Sequence, residues 1–73
     1  MKEVQVGKIY KHFKGNRYKV LCIAKHTETN EDMVIYQDIN DESKIYARPY
    51  VMFVSKVDKI KYPNVDQQYR FEC

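Results

Sequence analysis

The sequence predicts an all-β fold, a small antiparallel barrel or roll of about five strands. Three observations carry that prediction. Short runs of β-favouring residues alternate with polar turns along all 73 residues, and strand and turn chemistry punctuate them in the usual way. No apolar pattern of period 3.6 persists over ten residues, so no long helix is expected. There is no Trp, while seven Tyr and three Phe supply the bulk of a core. A chain of this length builds one domain, residues 1–73, with little room for an enclosed active site.

The elements follow in order. Ile9 to Phe13 and Arg17 to His26 are strand-like runs separated by Lys14-Gly15-Asn16. Gly followed by Asn suits a two-residue hairpin turn, which would set Phe13 opposite Tyr18 and Lys14 opposite Arg17. The second run places Tyr18, Val20, Cys22, Ala24 and His26 on one face and Lys19, Leu21, Ile23 and Lys25 on the other. Its centre is apolar on both faces, the pattern of a bent strand shared by two layers of a small barrel. Thr27 to Asp32 is a polar connection, Met33 to Gln37 a third strand and Lys44 to Arg48 a fourth. Pro49 ends that strand and opens one short helical turn through Tyr50, Val51 and Met52. Phe53 to Val57 returns to an extended pattern, and Tyr69-Arg70-Phe71 forms a last short strand.

Charge and cysteine narrow the class. The net charge is +3, unevenly spread: residues 1–20 hold six Lys or Arg against one acid, and residues 21–50 hold three against six. The longest apolar run, Val20 to Ala24, has five residues, against the ~20 of a spanning helix, so no membrane partner is expected. No export leader follows Met1, which points to the cytoplasm, and Cys22 reads there as a small buried hydrophobe without a disulfide. His12 and His26 are 14 positions apart and neither has a nearby Cys, so neither a metal nor any other cofactor is expected. No Ser or Cys has a base beside it, and Gly7 and Gly15 make no phosphate loop, so no catalytic residue is assigned and no enzyme is predicted.

A family pattern is visible in the residues. Gly7, Tyr10, His12-Phe13-Lys14-Gly15, Tyr18 and Val20 come first, then His26-Thr27-Glu28-Thr29, Val34, Tyr36, Arg48-Pro49, Met52-Phe53 and Arg70-Phe71. In that order they resemble the short bacterial proteins grouped as domain of unknown function 1653, over nearly the whole chain. The resemblance implies an SH3-like β-roll and brings no activity, substrate or catalytic residue. Two places depart from the pattern: Tyr46 stands where the family usually has a tryptophan, and Asp38 to Ser43 differs from its usual Leu-Tyr segment.

The leading functional expectation is a non-catalytic binding module for a peptide, a partner protein or a small anionic ligand. Pairing His26 with Met33 and Gln37 with Tyr46 would put His26, Tyr46 and Arg48 on one face, with Glu28 in the adjoining loop. Arg48 would then offer a planar fork to a carboxylate or phosphate and Tyr46 a stacking surface. The structural alternative is an Arg48–Glu28 salt bridge with His26 capping a turn. The other functional class is nucleic-acid binding through the basic hairpin, in which Lys11, Lys14 and Arg17 track phosphates and Phe13 stacks on a base.

Overall fold

The computed structural model describes residues 3–73. Five antiparallel strands form one sheet in the order β4-β3-β2-β1-β5: β1 (Ile9–His12), β2 (Arg17–Lys25), β3 (Asp32–Asp38), β4 (Ile45–Pro49) and β5 (Phe71–Glu72). A single helical turn, α1 (Tyr50–Phe53), follows β4. The chain is thus a small all-β roll with the helical turn in its expected place. Pro49 sits before that turn at φ −53° and ψ 137°, values its ring favours, and there it forfeits no helical hydrogen bond.

The core lies between the concave face of the sheet and α1. Tyr10, Val20, Val34, Tyr36, Phe53 and Phe71 are buried there, and Tyr18 packs against them. The Phe53 and Phe71 rings stack with centroids 4.0 Å apart and planes 5° from parallel. Tyr10 and Tyr36 meet Phe53 edge-on at 5.4 and 5.6 Å, and Tyr36 meets Phe71 at 5.4 Å. Offset and edge-to-face contacts of this kind add to area burial. The tyrosine hydroxyls are also used: Tyr50 accepts from the Val4 amide and Tyr10 from the Gln5 amide, each at 2.9 Å. These bonds strap the chain's first described residues over the open end of the core.

Three sequence expectations are corrected. The first hairpin pairs Tyr10 with Tyr18 and Lys11 with Arg17, so Phe13 does not face Tyr18. Gly15 donates to the His12 carbonyl and the His12 amide donates to the Asn16 carbonyl, both at 2.8 Å. The loop is therefore three residues, Phe13 to Gly15, with Gly15 at φ +112° as its last residue, a position that favours glycine.

Secondly, Cys22 is exposed rather than buried. A β-bulge between Val20 and Cys22 inserts one residue, so Val20 pairs with Tyr36 but Cys22 pairs with Ile35. That insertion moves Cys22 to the convex face and bends the strand. Thirdly, the strand registers differ from expectation: β4 is displaced by one residue on β3, with Tyr36 paired with Tyr46 and Val34 with Arg48, and β3 by two on β2, with Met33 paired with Ala24 rather than His26. The observed register buries Val34 and Tyr36 and leaves the Gln37 amide free to donate to the Glu42 carbonyl at 2.9 Å. The alternative would turn Gln37 inward in place of Tyr36.

The stacked pair gives the fold its clearest test. Phe53 is 1% exposed and Ile60 is 95% exposed. Phe53→Ala is expected to cost about 3–5 kcal/mol in a urea titration, and Ile60→Ala to stay within about 0.5 kcal/mol of the parent.

Candidate functional site

The end of β1, the tip of its hairpin and the two chain segments that cross nearby enclose an open basin of about 540 Å³. β1 supplies His12, and the hairpin loop supplies Phe13 and Lys14. β4 supplies Arg48 at its inner end. The segment after α1 contributes Lys56, Asp58, Lys61 and Tyr62, and Arg70 and Phe71 close the floor. The local backbone explains how distant residues meet. The Phe13 amide donates to the Arg70 carbonyl at 3.0 Å and the Arg70 amide to the Ser55 carbonyl at 2.8 Å. Those two bonds tie the hairpin, the C-terminal strand and the post-helical segment into one wall.

Both arginines are half-buried and held from one side only. The Arg48 Nε donates to the Tyr36 hydroxyl at 3.1 Å, and its guanidinium lies 5.5 Å above the Phe71 ring. The Arg70 Nε donates to Ser55 Oγ at 3.1 Å. Each anchor is a neutral hydroxyl, and no terminal guanidinium nitrogen of either residue has a protein partner among the described residues. Lys14, Lys56 and Lys61 likewise form no ion pair there; the described ion pairs are Lys25 with Asp32 and Lys44 with Asp41. The one carboxylate in the basin, Asp58, accepts from the Ile60 and Lys61 amides at 3.0 and 3.2 Å and so serves its own turn.

His12 registers the resulting field. Its Nδ1 accepts the Lys14 amide at 3.1 Å, which leaves the proton of the neutral ring on Nε2. Burial, and then the positive charges of Arg48, Arg70 and Lys14, lower its pKa to about 4. His12 is therefore neutral at pH 7. At the outer wall, the Phe13 ring stacks on His12 at 4.5 Å and meets Tyr62 at 4.9 Å. The Lys14 ammonium lies 5.9 Å from the Phe13 centroid and 5.7 Å from that of Tyr62.

Of the residues singled out from sequence, Arg48, Phe13 and Lys14 meet here, although they had been assigned to different sites. Tyr46 borders the basin, its ring 5.6 Å from Tyr36 and 6.1 Å from Tyr18. Lys11 and Arg17 pair with each other and, by strand alternation, lie on the opposite face from His12. His26 and Glu28 lie elsewhere: His26 Nδ1 accepts the Glu28 and Thr29 amides at 3.1 and 3.3 Å, so it caps its own turn. The expected cluster of His26 and Glu28 with Arg48 does not form, and neither does an Arg48–Glu28 salt bridge. The one-residue change of register explains this, because it carries Arg48 to the core-side face. Sequence reasoning missed His12, Lys56, Lys61, Tyr62 and Arg70 as members of one site. The closeness in sequence of Lys56, Lys61 and Tyr62 was a signal for the far wall; the intervening Lys59 bonds instead to the Val65 and Gln67 carbonyls.

Over residues 8–73 the chain matches the family described as protein of unknown function (DUF1653). The chain belongs to that family. No curated protein and no solved structure matches it. Among the residues that carried the resemblance in sequence, His12, Phe13, Lys14, Arg48, Arg70 and Phe71 all line the basin of this DUF1653 member. A second cleft, of about 460 Å³, opens beside Val4, Tyr10 and Cys73. Among the described residues its charged side chains are the acids Glu3 and Glu72. Among the described residues no group of three His, Cys, Asp or Glu is placed to hold a metal, and no helix is long and apolar enough to cross a membrane.

The depressed His12 pKa makes stability depend on pH in a definite direction. In the unfolded chain His12 binds its proton near pH 6.5, but in the fold only near pH 4. Between those values the unfolded state holds more protons, so stability falls as pH is lowered from 6.5 to 4. Thermal melts across that window are expected to show a smaller loss for His12→Gln than for the parent.

Proposed function

We propose that this protein is a non-catalytic binding module, acting in the bacterial cytoplasm, whose basin takes a small anionic ligand. One observation carries the reading: five cationic side chains converge on a groove whose single carboxylate is already committed to backbone amides. Held together without counter-charges, like charges repel and lower stability. A bound anion relieves that repulsion, and two hydroxyl-anchored guanidiniums present free forks that suit carboxylate or phosphate oxygens. The aromatic floor raises the strength of such contacts by keeping water from one side of the groove.

The same geometry supports binding over catalysis. The imidazole nitrogen that could accept a proton is bonded to the Lys14 amide, and the Asp58 carboxylate is turned to its own loop. Among the described residues no acid–base pair faces the groove, and general catalysis needs one within hydrogen-bond reach of a reacting atom. A small anion fits better than a neutral peptide, because a peptide would leave the five charges uncompensated. Exposed free thiols at Cys22 and Cys73 suit a reducing compartment.

The test is thermal stability at constant ionic strength with pyrophosphate replacing chloride. Ligand that binds the folded state raises the melting temperature by mass action, and the rise is expected to vanish in the double variant Arg48→Gln, Arg70→Gln. A rise of the same size in the double variant would overturn the reading. Without any ligand, Lys56→Gln is expected to leave stability unchanged or raise it by about 0.2–1 kcal/mol. A cluster kept for structure would instead lose stability.

A further inference from the structure

The basin is chemically divided, and the division points to a more specific ligand. Its inner half holds Arg48 and Arg70, each fixed at Nε by a hydroxyl at 3.1 Å and each with its outer fork unpaired among the described residues. Its outer half holds the Phe13 and Tyr62 rings, 4.9 Å apart at 58°, with the exposed Lys14 ammonium 5.9 and 5.7 Å from their centroids and His12 stacked on Phe13 from the inner side. Lys61 adds a second ammonium 5.5 Å from the Tyr62 ring centroid. An inorganic anion would use only the inner half. A purely apolar ligand would use only the outer half and leave the arginines uncompensated.

We propose that the ligand is a nucleoside phosphate, either free or as one residue of a single strand. Its phosphate would lie across the Arg48 and Arg70 forks and its base against Phe13 and Tyr62. This rests on the anion-site reading and adds the base. Planar fork geometry matches two phosphate oxygens at once, which a lysine cluster alone would not do. Bases stack on aromatic rings whatever their sequence, and a pair of rings on an open wall suits that mode. Lys14 is exposed and can swing from the rings toward the phosphate without moving its backbone, because its amide bond to His12 is independent of the side chain. A volume of about 540 Å³ falls in the range of small-ligand sites.

The experiment is amide and imidazole chemical-shift mapping of the full chain with four probes: inorganic phosphate, adenosine, adenosine monophosphate and a short oligoadenylate. The monophosphate is expected to shift His12, Phe13, Lys14, Tyr62 and Arg70 together, and to bind roughly tenfold more tightly than phosphate or adenosine. Phe13→Leu should bring the monophosphate down to the affinity of phosphate while leaving phosphate unchanged. If the oligonucleotide binds more tightly still, with affinity falling steeply in salt, the strand is the source. Equal affinity of both points to the free nucleotide. Phosphate binding in the basin with no gain from the base overturns this proposal and leaves the anion reading standing. Absence of any shift in the basin with all four probes overturns both.

Discussion

The fold depends on one contact, the stack of Phe53 on Phe71. The sheet runs from β4 at one edge to β5 at the other; among the described residues those two strands do not pair with each other, and only a short antiparallel bridge, Lys56 with Tyr69, links the segments beside them. Phe53 sits on the helical turn that continues β4, and Phe71 sits in β5 itself. Their rings meet at 4.0 Å, so the two ends of an open sheet are brought over the same core. A chain without tryptophan obtains this closure from a small set of rings, with Tyr10, Tyr18 and Tyr36 packed around the stack. The short β5 has only two residues and could not hold its place by ladder bonds alone.

That closure also creates the basin. Phe71 faces the core with one neighbour on either side doing different work. Arg70 turns to the groove while its amide bonds to Ser55, and Arg48 lies over the Phe71 ring. The aromatic cluster thus supports guanidiniums that a less rigid floor would leave free to reach bulk water. The two layers of contact, ring stack below and arginine forks above, share the same residue. The packing of the core and the placement of the guanidiniums are consequently linked through Phe71, and on the proposed reading a bound anion would offset the repulsion among the cations above it.

Much of the fold was legible in the sequence because its signals are local. Alternation marked the strands, polar runs marked the turns, and Pro49 marked the helical turn. The register was not legible, and the reason lies in particular residues. Val20 to Ala24 is apolar at every position, so no polar residue announces the bulge that moves Cys22 outward. In β3 both Val34-Tyr36 and Met33-Ile35 could have faced the core, and only three-dimensional packing around Phe53 chooses between them. A one-residue step then moved Arg48 away from His26 and Glu28 and toward Lys14 and Phe13. The site was half legible for the same reason: its residue types were visible, but Arg70 and Lys61 reach it only through loop and strand pairings of long sequence separation.

On the proposed reading an anion belongs among these cations, and the imidazole of His12 reports on it directly. Its pKa, followed by NMR titration of the ring protons, should lie near 4 in chloride, because burial and the three positive neighbours oppose its protonation. Replacing chloride with pyrophosphate at the same ionic strength is expected to raise that pKa toward 6.5, since a bound anion would offset Arg48, Arg70 and Lys14. A His12 pKa that is the same in both salts would contradict that reading.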